Sequence, residues 1–422
     1  MLVTKEAASM LKLADVTKAL PRMLTGTELA DALQVIPSYN PRIRQQDTAT
    51  RLTALSDLYR IYLPSPMSSE IYTKLYLAML RSLQKKGTKL AIQQSYQNAR
   101  ARKGLEFEGI IGGSDSFTII GTSGIGKSSA ISRAVSVISA SGIIEVDEPY
   151  TRIIPALTVQ CPFDCSVKGM LLEILRRIDE TINSSYYSTA LRVRATSDML
   201  IGSVSQAALN HVGLLIVDEI QNVVGNKHGK ALIAALTQLI NNSGISIGLV
   251  GTPECLPFFE KAMPLARRSL GLQYTRMEYD QYFCDFCSTL YRYQYIQQPA
   301  ELTPNIVDWL YEHSGGILSC VASTLHAAQE IAILDGSEEL SLASLNRAYL
   351  QRMSLLHGHI APSVNKKHSS TIASPSTAPI PALVNEALDA GSITAIIAAV
   401  KEQQLNPVSA LRPFITVEEV YV

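Results

Sequence analysis

The chain has 422 residues, 47% of them hydrophobic and 18% charged, with 37 basic and 37 acidic side chains. That leaves room for two or three domains with a sizeable core, and it excludes a disordered or fibrous chain. A net charge of zero excludes a global basic field for nucleic acid, while a local basic stripe stays open.

The opening residues, MLVTKEAASMLKLADVTKAL, lack the basic leader, long apolar centre and cleavage site of a secretory signal. The most apolar runs, GLLIVDEI and ITAIIAAV, fall far short of the roughly 20 residues that span a bilayer. Six cysteines over this length make no disulfide framework. The expectation is a cytoplasmic protein without membrane contact.

Residues 1–110 read as a helical N-terminal extension. Leu55, Tyr59 and Tyr62 recur at helical spacing, as do Ile71, Leu75, Met79 and Leu83, and YLPSPMSS divides the two pieces because proline restricts itself and its predecessor. The polar, basic QKKGTKLAIQQSYQNARARKG is expected to be an exposed arm or a solvated helix face. Residues 111–280 alternate short apolar runs (SFTIIG, RIIPALTVQC, GLLIVDE, SIGLVGT, YTRMEY) with longer helical patterns, which means an α/β core with a parallel sheet and crossover helices. Residues 281–357 are all helical, a small lid. Residues 358–381 have the Ser, Pro, Ala and Thr content of a flexible linker. Residues 382–422 carry a helical stripe of Leu388, Ile393, Ile396, Ile397 and Val400 and end in the apolar, acidic FITVEEVYV. This tail is either a tethered docking peptide, raised in effective concentration by its linker, or functionless.

The pattern G-x-x-x-x-G-K-S fits Gly121, Gly126, Lys127 and Ser128, with Gly124 as an extra glycine, a strand before and a helix after. Phosphate binding needs backbone N–H groups turned towards the anion, which glycines permit, and the helix adds its positive end. Gly121, Thr122, Ser123, Gly124, Ile125, Gly126, Lys127, Ser128 and Ser129 are therefore the candidate ATP-binding residues. Lys127 is expected on the β- and γ-phosphates and Ser128 on Mg²⁺. In GLLIVDEIQ an apolar strand delivers Asp218 and Glu219 at its carboxyl end, where open α/β sheets bind ligands. Asp218 is expected to hold the Mg²⁺ water shell, and Glu219 to polarise the attacking water; a helix cap is the structural alternative.

SIGLVGTPE brings Thr252 beside the two acids, either to sense the γ-phosphate or simply to end a strand. Arg267 and Arg268, just before the last strand, are placed to reach a neighbouring subunit's nucleotide, with Arg268 preferred, or are surface cations. Cys161 and Cys165 with Cys284 and Cys287 have spacings open to zinc, but Cys161 ends a strand and Cys284 begins a lid helix, so nothing makes them converge.

With YNPRIR, GIIGGSDSFTIIGTSGIGKSSAI, CPFDCSVKGMLLEILRRID, LLIVDEIQNV and LVGTPE, the chain resembles the TnsC/TniB family of AAA+ ATPases that regulate DNA transposition. The resemblance implies an AAA+ P-loop ATPase core, ATP and Mg²⁺, and a homo-oligomeric ring or helical filament of about six or seven subunits per turn. It implies sequence-independent assembly on double-stranded DNA in a bacterial cytoplasm, associated with the nucleoid. It further implies contact with transposase subunits through the tail and with a target selector of the TnsD/TniQ type. Where related lids often carry an arginine after GG, this chain has Gly315, Gly316, Ile317, Leu318 and Ser319, which puts a lid arginine in doubt. The candidate DNA contacts are Lys168, Arg176, Arg177, Lys227 and Lys230, each also readable as a solvated helix charge. A replication initiator or helicase loader is the rival within the ATPases, although no helix-turn-helix follows the lid. A nucleotide-switched signalling scaffold that binds no DNA is the rival from another class.

Overall fold

The computed structural model describes residues 19–112, 116–147, 150–261 and 271–354. The chain divides into two units, Met1–Ser363 and Val364–Val422, and every described residue lies in the first. The linker and the FITVEEVYV tail lie outside the described residues, as do Arg267 and Arg268.

Six strands form one sheet in the order β2-β3-β4-β5-β1-β6. They are β1 Phe117–Gly121, β2 Ile144–Asp147, β3 Tyr150–Gln160, β4 Val212–Asp218, β5 Ser246–Gly251 and β6 Leu272–Tyr274. Strands β1, β4 and β5 are nearly continuous apolar runs because both faces of the sheet are covered. All pairings are parallel except one. β2 runs antiparallel to β3, with Ile144 opposite Ile153, so the expected parallel sheet carries one antiparallel strand at its edge. Four residues with two acids among them gave β2 too weak a pattern to stand out.

The strand expected over YTRMEY begins two residues earlier, at Leu272, and stops at Tyr274. Gly121 is the last residue of β1 and pairs with Tyr274, so no ladder partner exists beyond it. The chain instead crosses to the lid, where Met277 N donates to Gly316 O (3.1 Å).

On one face of the sheet pack helices α1 Val167–Ile182, α2 Ser197–His211 and α3 Gly229–Ser243. On the other face, the Lys127–Ile138 helix shares a core with helix Pro66–Lys86, whose Ile71, Leu75, Met79 and Leu83 meet Phe117, Ile131 and Leu214. The proline in YLPSPMSS starts this helix: Ser65 caps it in a reciprocal box with Ser68, and Pro66 takes the first helical position, where a missing N–H costs nothing. Before it, Leu55 and Tyr59 fall at two short helices, Thr48–Ala54 and Asp57–Arg60, while Tyr62 is extended and bridges Val35.

The basic QKKGTKLAIQQSYQNARARKG segment is docked, which corrects the expectation of an exposed arm. Helix Lys89–Arg102 lies so close to α2 that a Cβ on Gly202 would come within 2.5 Å of Ala101 Cβ. Gln94 and Asn98 are fully buried. Gln94 Oε1 accepts from Ile110 N and Ile111 N, and Asn98 Nδ2 donates to Asn242 O. Composition misled because polar residues with satisfied hydrogen bonds are buried at little cost.

The lid, helices Gln281–Tyr291, Pro304–Ser314, Leu318–Asp335 and Leu342–Arg352, has a core of its own that takes in Leu55, Leu58 and Ile61. Arg51 makes a two-pronged ion pair with Glu338 across this junction, at 2.6 and 2.7 Å. Tyr39 and Arg44 of YNPRIR both donate to Gln294 O. Among the described residues no single helix is long and apolar enough to cross a membrane.

Candidate functional site

The phosphate loop leaves β1 at Gly121, where Tyr274 O would lie 2.9 Å from any Cβ. Thr122 N donates to that same carbonyl (3.3 Å), so β6 fixes the loop's entry. Gly126 caps the following helix with φ +98°, a left-handed conformation that glycine adopts without strain. Ile125 is buried and pins the loop from beneath. Lys127 is 8% exposed, and its Nζ donates to Gly121 O (2.6 Å) and Thr122 O (2.8 Å). Burial lowers the pKa of this ammonium, while the charges of Asp218 and Glu219 oppose the shift.

β4 pairs in register with β3 and β5, which delivers the acids to the mouth of this loop. Asp218 Oδ2 accepts from Ser128 Oγ (3.2 Å), and its Oδ1 accepts from Glu219 N (2.8 Å). A hydroxyl and a carboxylate oxygen thus converge at the point where the sequence places Mg²⁺, an ion that takes few protein ligands and completes its shell with phosphate and water. Glu219 has φ +58° and heads the 3-10 turn Ile220–Val223. A non-glycine residue in this region is uncommon, and here it turns the carboxylate out into the cleft. Gln221 Nε2 donates to Glu219 Oε2. Lys127, Ser128, Asp218, Glu219, Thr252 and Ser319 line one cleft of about 220 Å³. Thr252 Oγ1 bonds Glu254 Oε2 (3.2 Å).

On the other side of Gly124 and Gly126 lies a second cavity of about 210 Å³, walled by Ile61, Leu63, Met67, Tyr282, Leu318 and Ala322. The two cavities share Gly124, Gly126, Ser129 and Ser319. A polar cleft joined across glycines to an apolar slot fits a phosphate chain ending in a flat ring. Sequence reading missed this slot. Its walls come from the proline-rich break before helix Pro66–Lys86 and from the start of the lid helix, and only the run of apolar residues in YLPSPM hinted at it. Ser319, where a lid arginine was in doubt, donates its N–H to Gly124 O (3.1 Å) and lines both cavities.

A larger cavity of about 730 Å³, lined by Arg102, Arg152, Tyr186 and His211, lies at the opposite end of β3 and has no acid pair and no glycine loop. Among the described residues no group of three or more His, Cys, Asp or Glu side chains could hold a metal. Cys161 and Cys165 sit in the sheet core, whereas Cys287 sits in the lid core with Cys284 against it. Burial pushes the Cys161 thiol up to about 12.

Of the basic candidates, Lys168 lies in the first turn of α1, Lys227 in the loop before α3, and Lys230 in the first turn of α3, all exposed. Arg176 and Arg177 differ from them. Both pair with Glu173 and Glu180 along α1, so their charge is spent locally.

Residues 111–259 match the AAA domain family. The sheet with its phosphate loop is an AAA-type P-loop domain. Among solved structures the chain is similar to the Aeropyrum pernix ORC1 protein in complex with DNA, at 15% identity and TM-score 0.42, covering 78% of each chain. It is also similar to Drosophila ORC bound to DNA, at 11% identity and TM-score 0.43, covering 95% of this chain and 88% of that one. AMPPCP-bound DnaA from Aquifex aeolicus is similar at 14% identity and TM-score 0.32, covering 75% and 85%. No curated protein matches the sequence.

Proposed function

We propose that this AAA protein is an ATP-dependent, sequence-independent DNA-binding regulator of transposition. It assembles on target DNA, links a target-selecting protein of the TnsD/TniQ type to the transposase, and comes apart when ATP is hydrolysed. The observation that carries the ATPase reading is the meeting of Lys127, Ser128, Asp218 and an outward-turned Glu219 in one cleft beside an apolar slot. The transposition reading rests on the resemblance carried by YNPRIR, CPFDC with SVK, DEIQ and GTPE.

Lys127 exchanges its two loop carbonyls for phosphate oxygens. Ser128 and Asp218 would hold Mg²⁺, which supplies neutralising charge to those oxygens. Glu219 takes a proton from a water as that water attacks the γ-phosphorus. The bond to the bridging oxygen breaks, and ADP and phosphate leave. Thr252 orients the γ-phosphate side of the cleft, and Arg268, or Arg267, completes it from a neighbouring subunit. The protein is cytoplasmic in this reading, and its tail docks the transposase.

Electron microscopy of the full chain with a non-hydrolysable ATP analogue, with and without random-sequence duplex, tests the reading. A ring or filament that requires duplex is expected. An analogue-bound chain that ignores duplex sinks it in favour of the signalling scaffold, and a preference for one origin-like sequence favours the initiator.

A further inference from the structure

Phe163 is 88% exposed, more than any other large apolar side chain among the described residues. The loop that displays it is nevertheless tightly tied. Cys161 N donates to Asp218 O (2.8 Å), Cys165 N closes a turn onto Pro162 O (2.9 Å), and Asn226 Nδ2 donates to Phe163 O (3.2 Å). Cys165 takes a φ of +52° to make this turn, a strained choice for a non-glycine residue. A ring held out in water by a braced and strained loop, with no partner ring and no place in a core among the described residues, marks a place of contact with something else.

The surroundings give the chemistry of that partner. Lys168 flanks the loop on one side, and Lys227 and Lys230 flank it on the other, beside Asn226. None of the three makes an ion pair among the described residues, unlike Arg176 and Arg177. Helices α1 and α3 both begin here, so their positive ends add to the field. Asp164 is the acid of the loop, and its Oδ1 is occupied by Ser166 N (3.0 Å). An aromatic ring among uncommitted lysines at two helix starts suits a polyanion with apolar surface between its charges, which is duplex DNA.

The same loop reaches the acid pair. Asn222 Nδ2 donates to Cys161 O (2.9 Å), and Asn222 O accepts from Cys165 Sγ (3.2 Å), so the turn Ile220–Val223 is clasped at both ends of the Phe163 loop. The neighbouring Gln221 holds the Glu219 carboxylate. Only an amide N–H₂ can face a carboxylate, which forces Gln221 Oε1 inward, where it is buried without a partner near Gly251. That restraint on Glu219 is kept while half of the amide is unsatisfied, so a small shift of the turn exchanges it readily.

We propose that duplex DNA contacts the Phe163 edge and that the turn Ile220–Val223 carries this contact to the hydrolytic carboxylate, with Asn222 as the link and Gln221 as the positioning residue. The inference rests on the reading of the protein as a DNA-assembled ATPase.

The test uses the full chain, fluorescence anisotropy with random-sequence duplex, and ATP turnover with and without that duplex. Phe163→Ala is expected to bind duplex about tenfold more weakly; unchanged binding overturns the proposal. Asn222→Ser is expected to bind within about twofold of wild type, while the ratio of its kcat with saturating duplex to its kcat without falls towards one. A wild-type ratio overturns the link. Should Asn222→Ser melt early, Gln221→Leu probes the same link from the other end: kcat shifts with KM for ATP within about twofold, and the response to duplex is lost. A wild-type response in that variant overturns the proposal as well. A Phe163→Ala chain that loses self-association in the absence of DNA assigns the edge to a subunit contact instead. A wild-type chain that binds no duplex, or hydrolyses no ATP, defeats the proposed function together with this inference, whereas the variant outcomes defeat the inference alone.

Discussion

The phosphate cleft and the apolar slot share one glycine loop, yet they are built in opposite ways. In the cleft, chemistry is set by short stretches: residues 121–129 run without a break from the end of β1 through the glycine loop into the first turn of the next helix, and Asp218 and Glu219 are adjacent at a strand end. In the slot, walls come from Ile61 to Met67, from Tyr282 and from Leu318 to Ala322, segments held together only by the lid core and its junction. The cleft should therefore fail through chemistry, with the fold intact, and the slot through structure. Substitutions on the two sides separate these modes.

The largest effect is expected in the cleft. Glu219→Gln keeps shape and removes the base, so kcat for ATP should fall about 10²–10⁴-fold while nucleotide binding survives; single-turnover hydrolysis and nucleotide affinity measure the two halves. Equal loss of binding would mean that Glu219 holds the loop rather than the water.

At the junction behind the slot, Arg51→Ala strands Glu338, whose side chain is 11% exposed, and should cost about 3–5 kcal/mol in urea unfolding. The Arg51 guanidinium holds the Glu338 carboxyl below the usual range. A depressed carboxylate contributes stability above its unfolded pKa of about 4.3 and loses it as pH falls through the folded value. The wild-type advantage over Arg51→Ala should therefore shrink in acid. Gly124→Ala tests the shared wall. Its φ is +81°, and a Cβ would lie 2.4 Å from Ser319 Oγ, so the lid must shift off the loop and KM for ATP should rise about tenfold.

The smallest effect is expected away from both cavities. Lys86 is buried and donates to Ala208 O and Leu209 O at the end of α2, and burial brings its pKa to about 7. Its folded pKa lies below its unfolded value of about 10.4, so the unfolded chain binds more protons between them and stability rises with pH there. Lys86→Met should remove a slope of up to about 1.4 kcal/mol per pH unit between pH 7 and 9, read from denaturant midpoints. A variant with the wild-type slope would show that the two carbonyls keep the ammonium charged.

Legibility followed locality. Lys127, Ser128, Asp218 and Thr252 were readable because each sits at a strand end or loop whose neighbours in sequence are its neighbours in space, and the structure brings them into one cleft. Ser319 and Gln221 were within view, in ILSCVA and DEIQ, but their contacts with Gly124 and Glu219 depend on how the lid docks and how the turn after β4 bends. Arg176 and Arg177 looked like free cations until Glu173 and Glu180, one turn away on either side, were seen to pair with them.

What the residues determined alone was the parallel core, the glycine loop and the acid pair, because strand periodicity, left-handed glycines and adjacent carboxylates need no distant partner. What only the tertiary structure decided was where the polar helix Lys89–Arg102 and Lys86 are buried, which lid residue meets the phosphate loop, and that the loop displaying an exposed phenylalanine is hydrogen-bonded to the turn whose Gln221 holds Glu219. Those depend on contacts between segments up to hundreds of residues apart, and the chain fixes such contacts only through the packing of whole elements.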